Sequence, residues 1–291
     1  MSDGQPGKVG GHKVQRVGDV LRARLADGTY PLGSRFPTQR ELMEEFGVSR
    51  DTVQRVVNEL AGEGWTASRQ GSGTWVVMKT QRIHSSAPKG GRRGSMTLGP
   101  LIGAAFESPQ VTLDVVTLTS ESLDTHIRVQ SERIRAQEIA PETISVRMLL
   151  PSESLPLPYP RSLDDPADLR LRERLRAITR RHTESLREVL GALETEELVG
   201  SARLTIRHVA LTPAFKLYIF NGVEALHGPY EAIERTIALD GGDRVKALDV
   251  IGLGSTLTHY VADDDQDSQG SVFVGSWQAA FNSWWDRLAE E

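Results

Sequence analysis

Residues 36–53, with the sequence FPTQRELMEEFGVSRDTV, decide the fold of the first part of the chain. Thr38 is followed three residues later by Glu41, which is the capping-box pattern at the start of a helix. Gly47 is typical of the residue that ends a helix. Ser49 then stands where the cap of a second helix is expected. The stretch therefore predicts two helices joined by a short turn.

Apolar and glycine-containing segments on both sides of this pair predict the rest of a small domain. The further elements are a first helix over residues 13–26, continuation of the last helix to about Glu63, and strands over residues 65–69 and 74–77 around a glycine-rich tip. Three helices followed by a β hairpin predict a winged helix-turn-helix, an α+β domain. We expect this domain to occupy residues 13–79, after a disordered tail over residues 1–12.

The charge of the chain is distributed unevenly along its length. The formal net charge is -5, with 34 Lys and Arg against 39 Asp and Glu. Up to Ser95 there are 15 Lys and Arg against 9 Asp and Glu, whereas the remainder has 19 against 30. A basic N-terminal segment followed by an acidic remainder favours nucleic acid as the partner of the N-terminal segment.

The composition excludes several classes of protein. A chain of 291 residues with 38% hydrophobic residues has the length and apolar content for two packed domains. Without cysteine it has no disulfide, thiolate metal site or cysteine nucleophile. No apolar run approaches the ~20 residues that span a bilayer, and the polar start lacks a signal-peptide core. We expect a cytoplasmic location, no membrane association, no cofactor and no metal site.

The second helix of the quoted pair carries side chains suited to reading DNA in the major groove. Arg50 suits two hydrogen bonds to guanine, Thr52 suits a thymine methyl group or a phosphate, and Gln54 suits adenine. Three further positions are predicted to contact the DNA backbone or the minor groove, namely Arg40, Ser49 and Gly71. The alternative is that these arginines only solvate a helical surface.

The same part of the chain resembles the GntR family of bacterial repressors. The resemblance rests on PLG at 31–33, FPTQREL at 36–42, GVSRDTV at 47–53, Leu60, Gly64 and GSGT at 71–74. It implies dimers on palindromic double-stranded operators, with DNA contacts at Arg40, Ser49, Arg50, Thr52 and Gly71. Many members have an arginine two positions after the threonine, where this chain has Gln54 followed by Arg55. Both residues are candidate DNA contacts, and we expect a different operator sequence.

The remainder of the chain predicts a linker and a second domain. Residues 80–108 are rich in Gly, Ser, Pro and basic residues, which favours a linker. From residue 109 a strand, a helix and a second strand predict an α/β domain with a mixed, partly parallel sheet, extending to residue 291. The predicted elements are strands over 111–118, 143–150, 203–209, 216–220, 230–238 and 245–251, and helices over 120–140, 169–193 and 271–288.

Residues 214–222, AFKLYIFNG, are similar to the His-x-Lys-x4-Asp-Gly motif of the phospholipase D superfamily. Lys216 retains the lysine of that motif, while Ala214 replaces its nucleophilic histidine and Asn221 its aspartate. Alanine is unable to form the covalent intermediate, so the resemblance implies an inactive domain reused as a sensor. Lys216 and Asn221 are then candidate contacts for a phosphate-like effector. Alternatively, Lys216 is an exposed strand residue and Asn221 part of an ordinary turn.

These patterns together predict a sequence-specific transcription regulator that is not an enzyme. We expect a dimeric repressor whose second domain binds a small-molecule effector. A DNA-tethered phosphodiesterase and a DNA-binding protein without an effector are the alternatives.

Other candidate sites in the second domain are weaker. His208, His227 and His259 lack metal-ligand spacing, and residues 263–267 favour a solvated acidic turn over a cation site. The aromatic face of the last helix favours packing on its own domain over a dimer interface, and comprises Phe273, Trp277, Phe281, Trp284, Trp285 and Leu288.

Overall fold

The structure is a computed structural model that describes most of the chain. The residues described are 14, 16–18, 20–22, 24–25, 29–30, 33–62, 65–69, 73–76, 83–85, 98–239, 242–251 and 257–290. The chain divides into two compact units, residues 1–80 with 237–245 and residues 81–236 with 246–291. The predicted tail over residues 1–12 lies outside the described residues.

The first unit contains the predicted winged helix-turn-helix. Its elements are α1 (described helical residues between 14 and 25), α2 (Gln39–Phe46), α3 (Arg50–Gly62), β1 (Thr66–Arg69) and β2 (Gly73–Val76). Strands β1 and β2 pair antiparallel, with Thr66 opposite Val76. A single bridge from Arg35 to Trp75 adds a third short segment to this hairpin. The predicted fold class of the first domain is therefore confirmed.

Local hydrogen bonds explain where α2 begins and ends. The Thr38 hydroxyl accepts from the Glu41 N–H, and the Glu41 carboxylate accepts from the Thr38 N–H at 2.7 Å, so the predicted capping box is present. Gly47 adopts a left-handed φ of 60°, and its N–H donates to the Met43 carbonyl at 3.0 Å. Only glycine adopts this conformation without a Cβ penalty. The turn therefore directs α3 across α2, over an apolar core that includes Val17, Leu21, Phe36, Leu42, Val53, Val56, Leu60 and Val76.

The rest of the chain contains four helices and most of the strands that the structure describes. They are β3 (Ile83–Ser85), α4 (Leu98–Ala105), β4 (Gln110–Val116), α5 (Glu121–Arg135), β5 (Thr143–Pro151), β6 (Arg161–Ser162), α6 (Arg170–Thr195), β7 (Ser201–Val209), β8 (Phe215–Phe220), β9 (Glu224–Pro229), β10 (Glu231–Ala238), β11 (Arg244–Ile251), β12 (Leu257–Val261), α7 (Gln269–Arg287) and β13 (Ala289–Glu290).

Eight of these strands form one mixed sheet in the order β13-β7-β5-β4-β8-β9-β12-β3. Strands β4, β5 and β7 are parallel, with Val111 opposite Ile144 and Ile144 opposite Ala202. Strands β8, β9 and β12 continue the sheet antiparallel from β4. The predicted α/β domain with a mixed, partly parallel sheet is therefore confirmed. Strands β10, β11 and β6 form a separate three-stranded sheet.

Helices cover both faces of the large sheet, because its central strands are apolar on both sides. One face packs on α4, α5 and α6 through a core that includes Ile102, Ile127, Leu190, Val146 and Tyr218. The other face packs on α7 through Leu217, Ile219, Phe281 and Trp285. Alternate residues of β8 thus contact opposite helical layers.

Two elements, β3 and α4, lie in the segment that the sequence assigned to a linker over residues 80–108. The sequence of α4, LGPLIGAA, has glycine and proline, which made it resemble a linker. Pro100 is tolerated in the first turn, where its missing N–H costs no helical hydrogen bond. Burial of Leu98 and Ile102 in the core then stabilises the helix. The domain boundaries themselves stay predictions.

Candidate DNA interface and effector site

Helix α3 has one buried face and one exposed face. Val53, Val56 and Leu60 are fully buried against the core of the first unit. Arg50 and Arg55 are exposed on the opposite side. This amphipathic division leaves the polar face of the helix available for a partner.

Ser49 and Thr52 form a hydrogen-bonded pair at the start of α3. The Ser49 hydroxyl oxygen accepts from the Thr52 N–H at 3.3 Å, and the two hydroxyl oxygens lie 3.0 Å apart. Ser49 therefore satisfies one of the N–H groups that a helix start leaves unpaired. The positive end of the helix dipole and these hydroxyl groups suit a phosphate oxygen.

Gln54 is oriented by two neighbours that the sequence did not single out. Its side-chain oxygen accepts from Gln39 Nε2 at 2.6 Å, and its side-chain nitrogen donates to Asn58 Oδ1 at 2.9 Å. A carboxamide has two lone pairs and two N–H hydrogens, so one of each is left for a base edge. Asn58 was recognisable from its position four residues along the helix, but Gln39 lies 15 residues away.

Arg40 lies on α2 with its side chain exposed to solvent. Its Nε donates to Glu44 Oε1 at 2.9 Å, and its side chain is 88% exposed. An exposed pair of this kind contributes little, about 0.3–0.5 kcal/mol on a helix. The pair therefore does not prevent Arg40 from moving to a DNA phosphate.

The hairpin tip is described only in part. Gly71, the predicted minor-groove contact, lies outside the described residues. Gly73 begins β2 with a φ of 86°, and a Cβ placed there comes within 3.1 Å of Arg35 Nε. The backbone at Gly73 therefore favours glycine both by its conformation and by this neighbour.

Comparison with known proteins identifies this part of the chain. Residues 13–76 match the sequence model described as "Bacterial regulatory proteins, gntR family". Residues 13–76 form a gntR-family domain. The predicted resemblance is therefore confirmed for the winged helix-turn-helix, which we call the gntR domain from here on.

Curated relatives are similar to the chain over a limited segment. The Uxu operon regulator of Haemophilus influenzae is 38% identical over 69 residues, which cover 24% of this chain and 26% of the relative. The mannosyl-D-glycerate transport/metabolism system repressor MngR of Escherichia coli is 38% identical over 76 residues, covering 25% and 31%. The arabinose metabolism transcriptional repressor of Halalkalibacterium halodurans is 31% identical over 70 residues, covering 24% and 19%. The chain thus spans less than a third of the length of these relatives.

Solved structures are likewise similar over a limited segment. The AraR(DBD) in complex with an operator is 34% identical and covers 22% of this chain and 78% of that chain, with a TM-score of 0.22. The Streptococcus agalactiae GntR is also 34% identical and covers 22% of this chain and 31% of that chain, with a TM-score of 0.21.

Lys216, the predicted effector contact, is buried in the second unit. Only 4% of the residue is exposed, so the alternative of an exposed strand residue does not hold. Burial lowers the pKa of Lys216 to about 8, although the Glu121 carboxylate acts in the opposite direction and raises this pKa. Its Nζ lies 5.8 Å from the centre of the Tyr230 ring. The lysine therefore sits in a low-dielectric environment where a second charge is strongly felt.

Asn221, the other predicted effector contact, lies beyond the opposite end of β8 from Lys216. Its φ of 50° and its position between β8 and β9 are those of a turn residue. Its side-chain nitrogen donates to the Ala105 carbonyl and the Ser108 hydroxyl, both at 3.1 Å, and its oxygen accepts from the Thr112 N–H at 2.8 Å. Both amide hydrogens are thus engaged, which favours the turn over an effector contact.

The other candidates from the sequence are accounted for by local contacts. His227 packs 4.9 Å from the Trp277 ring, and burial lowers its pKa. His259 Nε2 lies 2.7 Å from a Glu224 carboxylate oxygen. His208 lies at the end of β7. Asp263, in the acidic turn, accepts from the Ser271 hydroxyl at 3.3 Å. Among the described residues there is no cluster of His, Asp and Glu with the arrangement of a metal site.

The aromatic face of α7 packs on its own sheet. Phe281 is fully buried and Trp285 is nearly so, while Phe273, Trp277 and Trp284 are partly buried against the same core. Leu288 remains 52% exposed. No helix in the described ranges combines the length and apolarity required to cross a bilayer.

A buried polar cluster joins α5 to α6. His182 Nδ1 lies 2.8 Å from Asp124 Oδ2, and the Ser185 hydroxyl donates to the other oxygen of the same carboxylate. Arg128 Nε donates to Ser185 at 3.1 Å. Serine and histidine therefore bind one carboxylate side by side, whereas a catalytic triad requires the histidine between them. The cluster pairs buried polar groups between two helices, while the other ring nitrogen of His182, Nε2, is buried without a hydrogen-bond partner among the described residues.

Proposed function

We propose that the chain is a sequence-specific, dimeric transcription regulator of repressor type. The observation that carries the proposal is the exposed face of α3 within the gntR domain, where Arg50, Thr52 and Gln54 lie within about the first turn and a half of the helix. These side chains have the donors and acceptors that distinguish base pairs in the major groove. Arg40, Ser49, Arg55 and Gly71 are proposed to complete the contacts to double-stranded operator DNA.

The charge distribution supports the same proposal. The gntR domain lies in the basic first third of an otherwise acidic chain. A basic surface attracts the phosphate backbone, while an acidic body does not compete for it. The names of the similar proteins, which include an operon regulator and two repressors, agree with this proposal.

Effector control is proposed for the second domain. An α/β domain of this size exceeds what DNA reading requires, and the effector would act through a coupling free energy between its site and the DNA-binding surface. Dimerisation would place two gntR domains on a palindromic operator. The cytoplasm stays the predicted location.

The test is selection of genomic fragments by the full chain, followed by gel-shift titration of the selected fragments. We expect the selected fragments to bind at least ~10³-fold more tightly than unrelated DNA of equal length at physiological salt. A matching titration at two salt concentrations separates phosphate attraction from base reading, because only the former follows the counterion slope. Equal affinity for selected and unrelated fragments would overturn the proposal.

We further propose that the chain has no phosphodiesterase activity. Ala214 replaces the nucleophile that the phospholipase D motif requires, and alanine has no group that attacks phosphorus. Incubation of the purified chain with bis(p-nitrophenyl) phosphate is therefore expected to release no p-nitrophenol above the buffer rate. Release that scales with protein concentration would favour a DNA-tethered phosphodiesterase instead.

A further inference from the structure

A cavity of about 50 Å³ lies where the parallel strands of the second unit end. Its walls include Leu118, which follows β4, Pro151, which ends β5, and His208, near the end of β7. Helix α6 closes another side with Leu175. In open α/β sheets the carboxyl ends of the strands are the usual place for a ligand, because the connecting loops diverge there. The cavity thus occupies the position in this fold that suits small-molecule binding.

The body of the cavity is apolar. Leu118, Leu155, Leu157 and Leu175 line it, together with the ring of Tyr159. Leu118, Leu157 and their neighbours form an apolar cluster separate from the two main cores. Most ligand sites in proteins have such an apolar lining with a few polar groups that fix orientation.

The polar groups of the cavity are mainly cationic or hydrogen-bond donors. Arg172 Nη2 donates to the Leu157 carbonyl at 3.4 Å, and Arg176 Nη2 donates to the Glu153 carbonyl at 2.7 Å. Both arginines therefore bind the loop after β5 through hydrogen bonds to uncharged backbone carbonyl groups. A carboxylate or phosphate oxygen would give the same guanidinium groups shorter and stronger charge-assisted bonds.

The helix that carries these two arginines is strongly basic in its first half. Residues 170–181 contain six arginines and one glutamate, although the domain as a whole is acidic. The single carboxylate among the lining residues belongs to Glu153, whose side chain is exposed. A local excess of positive charge beside a low-dielectric cavity raises the local concentration of anions.

Lys216 lies close to the same end of the sheet. The Tyr230 hydroxyl accepts from the Leu118 N–H at 2.8 Å, and the Tyr230 ring is the one beside Lys216 Nζ. Tyr230 therefore connects the buried lysine to a residue of the cavity wall. The loop over residues 151–160, which Arg172 and Arg176 hold, forms part of the cavity wall.

We propose that this cavity binds a small organic anion with an aliphatic body and a carboxylate or phosphate head. The apolar walls bind the aliphatic part, and Arg172 and Arg176 bind the anionic head. Its role as the effector site rests on the proposed function of the chain as an effector-controlled regulator. Anion binding at this site does not depend on that function.

The experiment measures binding of three probes to the full chain by saturation-transfer NMR and calorimetry. Butyrate and butyl phosphate distinguish a carboxylate head from a phosphate head, and butyramide is the neutral control. The test variant is the double substitution Arg172→Gln with Arg176→Gln. The matched control is Arg180→Gln with Arg181→Gln, which removes the same charge from exposed positions of the same helix. Thermal unfolding of both variants establishes that they fold.

We expect at least one anionic probe to bind, and butyramide to bind at least about tenfold more weakly. The test variant should weaken anion binding about tenfold or more, whereas the control variant should leave it nearly unchanged. If no probe binds, if butyramide binds equally well, or if both variants weaken binding equally, the proposal is overturned. If the test variant alone fails to fold, the single variant Arg176→Lys replaces it, and unchanged butyl phosphate and butyrate affinities overturn the proposal.

A separate gel-shift measurement distinguishes this site from the proposed function. If the chain binds the probes but does not discriminate between DNA fragments, the proposed anion site is supported and the proposed regulatory function is overturned. If the chain discriminates between DNA fragments but binds no probe, the proposed DNA-binding function is supported and the proposed anion site is overturned.

Discussion

Gln39 donates a hydrogen bond from its side-chain nitrogen to the side-chain oxygen of Gln54 over 2.6 Å. This bond joins the first residue of α2 to the exposed face of α3. Because Gln54 also donates to Asn58, its carboxamide is oriented before any base approaches. Pre-orientation lowers the entropy that a side chain loses when it binds. Specificity at this position is therefore expected to depend on a residue that need not contact DNA.

Replacement of Gln39 by alanine tests this relationship. Gln54→Ala should abolish the base preference at the position that Gln54 contacts, which is worth about 1–3 kcal/mol for a well-made bidentate pair. Gln39→Ala should weaken the same preference partly, because the amide remains but loses one of its two orienting bonds. Base frequencies in fragments selected from a randomised library measure both effects. Unchanged preferences in both variants would contradict the assignment of Gln54 as a base contact.

Arg50→Ala should reduce specific binding by about 1–3 kcal/mol through loss of base recognition. Arg50→Lys retains the charge but loses the two-pronged geometry, so it should restore non-specific affinity more than specific affinity. Gel-shift titration against selected and unrelated fragments gives the two affinities. Arg203→Ala, at an exposed position of β7, is the charge-matched control and should leave both unchanged. Loss of both affinities in equal measure would instead indicate a phosphate contact at Arg50.

Thr38→Ala should destabilise α2 by about 1 kcal/mol, because it removes the side-chain half of the capping box. Thr38→Ser retains the hydroxyl and is the matched control. Hydrogen-exchange mass spectrometry of peptides from α2 reports this locally, without the second unit contributing to the signal. Faster exchange confined to Thr38→Ala confirms the cap, whereas equal exchange in all three proteins would refute it.

The capping box also predicts a pH dependence. The hydrogen bond from the Thr38 N–H lowers the pKa of Glu41 below its ordinary value. A carboxylate with a lowered folded-state pKa stabilises the fold above the unfolded pKa, and this contribution is lost as the pH falls through the folded pKa. Protection of the α2 amides in the native protein should therefore decrease in acid, on the acidic side of the ordinary glutamate range. Glu41→Gln should lack this acid-dependent step.

Local patterns predicted the first domain well because its signals lie within a few residues of one another. The capping box spans Thr38 to Glu41, and Gly47 ends its helix through its own backbone conformation. The parallel strands were also predictable, since apolar runs around a helix favour parallel pairing. Helix α4 was not, because its Gly and Pro content resembles a linker and only burial against distant strands stabilises it.

The candidate sites also contain some features that local sequence predicts and others that depend on tertiary structure. Arg50 and Thr52 belong to a contiguous motif, and their exposure follows from the helical period. The contact of Gln54 with Gln39 depends on how two helices cross, which no short sequence pattern specifies. Arg172 and Arg176 belong to a charge run that is visible in the sequence, but their proximity to His208 depends on the sheet. Burial of Lys216 is a tertiary property as well.

Lys216→Met should stabilise the second unit at neutral pH. Burial lowers the pKa of Lys216 from its ordinary value of 10.5 to about 8, so the folded state holds its proton less tightly than the unfolded state. The unfolded state therefore binds more protons between these two values, and stability rises with pH across this window. Below pH 8 the full penalty of the charged form applies, on the order of 3 kcal/mol at ~1.4 kcal/mol per pKa unit. Methionine retains the apolar stem without the charge.

Urea unfolding of Lys216→Met is followed by tryptophan fluorescence, since Trp277, Trp284 and Trp285 all lie on α7. The free energy of unfolding of the variant should exceed that of the native protein by about 1–3 kcal/mol at pH 7. This difference should shrink as the pH rises from about 8 and be smallest above 10.5, where the lysine becomes neutral in the unfolded state as well. Lys246→Met, at an exposed position, is the control and should change stability by less than ~0.5 kcal/mol. If Lys216→Met is less stable than the native protein at pH 7, the attraction of the ammonium group to Glu121 and Tyr230 outweighs its desolvation. The ammonium group then stabilises the fold instead of destabilising it.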